Sequence, residues 1–339
     1  MVKLKITFIF LCIWLINGIN EAGAENIERI TSETILSQSW NFPTLLTPAA
    51  TGEVESVRFV AGSRLEYLGN SGSPKFYYGA FDMPLQFLNK RIGGGVTVNV
   101  NTGEIFKNTN LAAQFSYGIK ISNYQLRIGL QAGYFRTKFK ISNFNNGAEN
   151  EALQTNETDP THPEPTYSNI SAGNFDLGVG VKLENPNFYV GISGLHLTQP
   201  VFYQQENLNN SAQENPFKIQ LLANFYFDIG GNIPLKNTLL SLQPSLILGT
   251  DFHNFTGIAE IRGTWKKKVT FGLDYRWKEA LGIFAGLFLK KFYIGYSWEY
   301  DFNKAAKGSI GNHEIAVGYQ FELNKSIRRP YIHKSIRLM

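Results

Sequence analysis

Over most of its length the chain alternates apolar and polar residues with a period of two, the pattern of β-strands whose faces meet different surroundings. In 111–121 the apolar set is Leu111, Ala113, Phe115, Tyr117, Ile119 and Ile121, with Gln114, Ser116, Gly118 and Lys120 among the residues between. The next stretch repeats it, setting Tyr124, Leu126, Ile128, Leu130, Ala132 and Tyr134 against Gln125, Arg127, Gly129, Gln131 and Gly133. Fourteen such segments are predicted, at 55–67, 75–83, 91–101, 108–121, 124–139, 173–183, 188–197, 217–227, 239–249, 254–264, 269–277, 280–288, 292–300 and 313–321. Most are close to the ~9–11 residues with which a tilted strand crosses a bilayer.

The polar face is built of Gly, Ser, Asn, Gln and scattered charge, whereas a soluble β-sandwich would set one apolar core face against a more charged solvent face. The apolar face is therefore read as the outer one, against lipid. Hydrocarbon offers no partner to an unpaired N–H or C=O, so a spanning sheet has to close on itself. The expected fold is all-β: an antiparallel transmembrane barrel of the outer-membrane type with about 14 strands. Aromatics at strand ends (Tyr67, Tyr124, Phe175, Phe188, Phe227, Trp265, Trp277, Phe292, Tyr300) fit an interfacial girdle. With both termini periplasmic, the odd connections face outward, and the two longest, 140–172 and 198–216, are odd. Most even connections are tight; the exception is Asp228 to Asn237. Pro244, inside a segment, calls for a bulge or a gap in the ladder.

Composition agrees. Of 339 residues only 17% are charged, against 26 Phe, 16 Tyr, 5 Trp and 32 Gly. The single apolar run, Ile6 to Ile16 behind Lys3 and Lys5 and ahead of Ala22-Gly23-Ala24, reads as a cleaved signal peptide, 1–24, and not as a spanning helix. The remaining boundaries are an N-terminal periplasmic segment at 25–53, the barrel at 54–321, and a basic periplasmic tail at 322–339. The only cysteine, Cys12, lies in the leader, so the mature chain has no thiol chemistry.

No catalytic constellation is evident. His162, His196, His253, His313 and His333 lack metal-ligand spacing, and neither a G-x-S-x-G elbow nor a P-loop occurs. No enzymatic activity, cofactor, metal or nucleic-acid partner is expected. The acids Glu149, Glu151, Glu157, Asp159 and Glu164 read as a solvated loop. Gly93-Gly94-Gly95 inside a strand marks a bend or a close backbone approach. Arg58, Arg64, Glu66, Arg127, Asp176, Lys182, Glu260, Arg262, Asp274, Arg276 and Glu299 fall on polar faces and are expected to pair across the lumen. Barrels of about eight strands are filled by side chains and those of about sixteen hold a channel, so fourteen leaves room for a folded-in segment from either end. The tail residues Arg328, Arg329, Lys334 and Arg337 form a candidate docking strip for an acidic periplasmic partner.

Several stretches resemble the PorP/SprF family, outer-membrane components of the type IX secretion and gliding machinery of Bacteroidetes. Thr47-Pro48-Ala49-Ala50-Thr51-Gly52 is similar to the family's Asn-Pro-Ala-x-x-Gly element, with Thr47 where Asn is usual. Phe188-Tyr189-Val190-Gly191-Ile192-Ser193 with His196-Leu197 resembles a mid-chain strand. Tyr296-Ser297-Trp298-Glu299-Tyr300-Asp301 and Gly311-Asn312-His313-Glu314-Ile315-Ala316-Val317-Gly318-Tyr319 resemble the terminal hairpin. The resemblance implies a non-enzymatic barrel that helps export or present proteins with a C-terminal sorting domain, gliding adhesins included. Its implied partners are outer-membrane lipid, the periplasmic ring of the machinery and cargo sorting domains. Thr47, Pro48, Ala49, Gly52, His313 and Glu314 are the motif positions taken as candidate contacts. The competing reading is a passive porin or solute transporter.

Overall fold

A computed structural model describes residues 27–30, 34–85, 91–140, 170–203, 218–235, 238–302 and 306–322, with only the backbone at 27–30. In chain order the elements are β1 (Ile27–Ile30), α1 (Pro43–Leu46), β2 (Ser56–Leu65), β3 (Lys75–Leu85), β4 (Arg91–Thr102), β5 (Phe106–Ile121), β6 (Tyr124–Phe139), β7 (Ile170–Glu184) and β8 (Phe188–Leu195). They continue as β9 (Val201–Tyr203), β10 (Lys218–Leu221), β11 (Asn224–Gly231), β12 (Ile233–Pro234), β13 (Leu240–Thr250), β14 (Phe255–Trp265), β15 (Val269–Arg276), β16 (Ala280–Leu289), β17 (Phe292–Asp301) and β18 (Asn312–Glu322).

Fourteen of these strands make the barrel: β2 to β8, β11, and β13 to β18, each antiparallel to its neighbours in chain order. The ring shuts where β18 pairs with β2, from His313 opposite Leu65 to Glu322 opposite Ser56. No sheet edge is left to face lipid.

The alternation has the polarity expected of a membrane barrel and the reverse of a soluble core. In β5, Asn108, Asn110, Gln114 and Ser116 are buried inward while Leu111 and Phe115 point out, 52% and 46% exposed. In β6, Arg127 and Gln131 are buried while Ile128 and Leu130 face out. Girdle aromatics lie on this outer surface at both rims, Tyr124, Phe188, Trp265 and Phe292 at one and Trp277 and Tyr300 at the other. The first rim carries the tight turns, such as Ser122-Asn123, and the second the long connections, so the first is periplasmic and the second extracellular.

One predicted strand is divided. The segment 217–227 breaks at Leu222-Ala223: its first part is β10, and the barrel strand β11 begins only at Asn224 and runs to Gly231. β10 instead joins a three-stranded sheet, parallel to β1 and antiparallel to β9. β12 then folds the expected periplasmic loop back onto β13. Pro244 lies in the gap between the Gly230–Ser245 and Ile233–Leu242 pairings, where its missing N–H costs no ladder bond.

Candidate functional site

The lumen is filled by the chain's own N-terminal segment. Every residue from Ile35 to Glu53 is buried. The segment is a chain of short turns: a tight helical turn at Ser39–Asn41, then α1, then a second turn at Pro48–Ala50. Proline opens α1 and the second turn, where a missing N–H is tolerated, and Thr47 Oγ1 accepts from the Ala49 N–H at 3.3 Å. The expectation that 25–53 is a periplasmic segment is corrected here for 35–53. The physical reason is that this stretch is too apolar to stay in water and too full of unpaired carbonyls and amides to pack against anything but a polar wall.

Both requirements are met inside. Leu36, Trp40, Phe42 and Leu45 cluster with Val60, Phe76, Tyr78, Ala80, Tyr293 and Ala316, and Ile35 and Leu46 with Leu195, Tyr226, Ile247 and Ile258. Burying each large side chain contributes about 1.5–3 kcal/mol. Phe42 stacks edge-on to Tyr78 at 4.5 Å, and the Arg262 guanidinium lies 3.9 Å from the Trp40 ring centre.

The backbone of the segment is gripped by wall side chains. Arg127 donates from Nε to the Ala49 carbonyl at 2.9 Å and from Nη2 to that of Thr51 at 2.7 Å. Ser116 Oγ donates to the same Thr51 carbonyl, Ser193 Oγ to that of Leu46, and Gln114 Nε2 to that of Thr44. Acceptors complement these donors. Asp82 takes the Gly52 N–H at 2.8 Å, and the two Glu314 oxygens take the Ser37 and Gln38 N–H groups at 3.0 and 3.2 Å. Lys182 binds the Glu53 carboxylate at the periplasmic end of β7. At the opposite, extracellular end, Arg276 Nη2 donates to the Ile35 carbonyl at 2.8 Å. The segment therefore runs the height of the barrel.

Glycines let Thr47–Gly52 lie this close. A Cβ on Gly129 would overlap Pro48 and Ala49, one on Gly93 the Thr51 carbonyl, and one on Gly180 the Thr47 hydroxyl. Of the two readings of Gly93-Gly94-Gly95, close backbone approach is the one observed at Gly93.

Thr47, Pro48, Ala49 and Gly52 are thus brought together, but on the barrel's own wall, where none presents a surface to another protein. His313 and Glu314 are neighbours on opposite faces: His313 Nδ1 meets the Tyr296 hydroxyl at 2.7 Å on the outer side, while Glu314 grips the segment within. Arg328, Arg329, Lys334 and Arg337 lie outside the described residues, as do the signal peptide and the acids of 149–164. The inward charges do not span an open lumen as expected. Arg58 pairs with Asp82 on the adjacent strand at 2.9 Å, and Asp176 with His196 Nδ1 at 2.6 Å. Arg64 and Arg276 share Glu299, which also receives the Ser37 hydroxyl. Gln114, Ser116 and Ser193 were not singled out from sequence; their only signal is a place on the polar face.

These features define a class: an outer-membrane β-barrel whose bore is occupied by its own N-terminal segment. Within that class the chain belongs to the family described as type IX secretion system membrane protein PorP/SprF, which it matches over residues 31–319. Comparison with curated proteins gives no match. Among solved structures, the toluene transporter TbuX of Ralstonia pickettii aligns with a TM-score of 0.48 at 12% identity, covering 82% of this chain and 92% of that one. Omp33 of Acinetobacter baumannii gives 0.42 at 10%, covering 79% and 99%. The toluene transporter TodX of P. putida gives 0.44 at 9%, covering 83% and 94%. Likeness at that level says nothing of what this barrel binds or carries.

Proposed function

We propose that this barrel serves type IX secretion without catalysing a reaction, assisting the export or surface presentation of proteins with a C-terminal sorting domain, gliding adhesins included. The supporting observation is the filled bore. A tube whose lumen holds nineteen buried residues of its own chain, tied at both ends, acts through its rims and its lipid face and not as a conduit. In this reading the periplasmic rim meets the ring of the secretion machinery, with Arg328, Arg329, Lys334 and Arg337 as the docking strip, and the extracellular rim meets cargo. This favours the secretion reading over a passive porin.

Two measurements test it. Purified protein in planar bilayers should pass no steady large current, and cells lacking the gene should lose surface adhesins. A stable open current together with an unchanged surface proteome would establish the porin reading instead. Replacing the four tail cations with Gln should weaken co-purification of periplasmic partners while the barrel keeps its heat-dependent gel mobility; unaffected pull-downs would remove the tail from the scheme.

A further inference from the structure

At the periplasmic mouth, beside the plug, lies a cavity of about 560 Å³ lined by Asn41, Arg58, Lys267, Lys290, Lys291 and Gln320. We propose that it is a binding site for a phosphate-bearing anion, a ligand that nothing in the secretion reading requires.

Charge is the first reason. Lys267 belongs to the turn between β14 and β15, and Lys290 and Lys291 to that between β16 and β17. The two turns are held side by side, since the Phe288 N–H donates to the Lys268 carbonyl at 2.7 Å. Among the described residues, Glu322 is the one acid in the lining, against these three lysines. Arg58 is already neutralised by Asp82, which takes its Nε and Nη2.

Unused donors are the second reason. Among the described residues, Arg58 Nη1 and Asn41 Nδ2 find no hydrogen-bond partner, although these residues are only 2% and 3% exposed. A buried donor left unpaired costs about 1–3 kcal/mol. Both residues line this cavity under its cationic rim, and a small side-chain rotation turns their donors toward an oxyanion held electrostatically by the lysines. Lys267 and Lys290 sit on left-handed backbone, φ 55° and 58°, where Gly or Asn is the cheaper residue.

Size and lining narrow the ligand. The volume lies within the ~300–1,000 Å³ of ordinary ligand sites and is far larger than a bare phosphate needs. Phe288, Phe292 and Tyr293 add apolar wall to the same cavity. A phosphodiester with carbon on both sides fits better than an inorganic ion, and the shared element is the phosphate group.

The full-length protein in maltoside detergent tests this by calorimetry with three probes: inorganic phosphate, dihexanoyl phosphatidylglycerol and the zwitterionic dihexanoyl phosphatidylcholine. One equivalent of phosphatidylglycerol should bind, and more tightly than phosphatidylcholine. Asn41→Leu keeps the side-chain size and loses no existing side-chain bond, and should weaken binding about tenfold, the value of one hydrogen bond to a charged acceptor. Lys267→Gln with Lys290→Gln and Lys291→Gln should weaken it further while the heat-dependent mobility of the barrel stays unchanged. Equal binding of inorganic phosphate would assign the site to free phosphate, and its absence would assign it to a lipid headgroup. Failure of all three probes, or affinities indifferent to both variants, would overturn the site.

Discussion

At the scale of single residues, Arg127 has the most to lose. Its guanidinium satisfies two carbonyls of the plug, at Ala49 and Thr51, and also meets Ser116 Oγ. Arg127→Met keeps the length and removes the donors, stranding acceptors at about 1–3 kcal/mol each. The Thr51 carbonyl retains the Ser116 hydroxyl, so the Ala49 carbonyl bears most of the loss. Hydrogen exchange should quicken across 47–52 while the strands keep their protection; unchanged exchange there would mean that Arg127 does not hold the plug. Gly129→Val tests the same contact from the opposite side. Its added atoms meet Pro48 and Ala49 backbone, which has no flexible end to move aside, so the turn at Pro48–Ala50 must lift away. The expected outcome is a folded barrel with faster exchange at 47–52, and an intact plug in this variant would show that the wall has slack.

At the scale of elements, burial and charge set different tolerances on the two faces of each strand. Leu130 lies on the lipid face of β6, 55% exposed, between the lumen-facing Gly129 and Gln131. Leu130→Arg should destabilise the barrel in lipid vesicles by roughly 2–4 kcal/mol, the cost of a cation near the bilayer midplane, read as a lower urea midpoint. Glu299, near the extracellular end of β17, is the counter-charge of both Arg64 and Arg276. Glu299→Gln leaves two buried guanidinium groups short of negative charge, a change worth roughly 3–5 kcal/mol when a buried pair is broken. An unfolding midpoint equal to wild type would show that Glu66 and Glu314, which also approach Arg64, suffice. The strands themselves were legible because lipid and lumen impose opposite demands on alternate residues, so 124–139 and the terminal hairpin stand out without any tertiary information. β11 was misplaced because Lys218 to Leu221 keeps the same alternation while pairing with β1 and β9 outside the wall. The plug was legible only as room for a folded-in segment from either end, and nothing in the sequence chose between them. Its turns have no period, and Gln114, Ser116 and Ser193 reveal their role only once two distant strands, β5 and β8, flank the segment. The glycine run at 93–95 was the one local trace of it.

At the scale of the whole molecule, the path of the chain has a topological consequence. β2 starts at the periplasmic rim, and the residues before it climb the lumen from Glu53, bound by Lys182, to Ile35, bound by Arg276 at the extracellular end of β15. β1 then pairs in parallel with β10, which directly precedes the extracellular end of β11. Strands β9 and β10 belong to the same end, since Phe202, Ile219 and Leu221 pack with Phe135, Phe139 and Ile170 at the extracellular ends of β6 and β7. The chain before β2 thus crosses the outer membrane inside its own barrel. Because β18 and β2 close the ring around it, the segment has to be in place before that seam zips or be threaded afterwards, and its many side-chain bonds to β3, β5, β6, β8 and β18 favour the first order. A short epitope placed directly before Ile27 should then be reached by antibody on intact cells, without permeabilising the outer membrane. An epitope inserted in the periplasmic turn at Ser122-Asn123 is the matched control and should stay hidden until the membrane is breached. If both epitopes need permeabilisation, the N-terminal segment does not emerge at the cell surface, and the route from Glu53 to β1 is not the one taken in the assembled membrane.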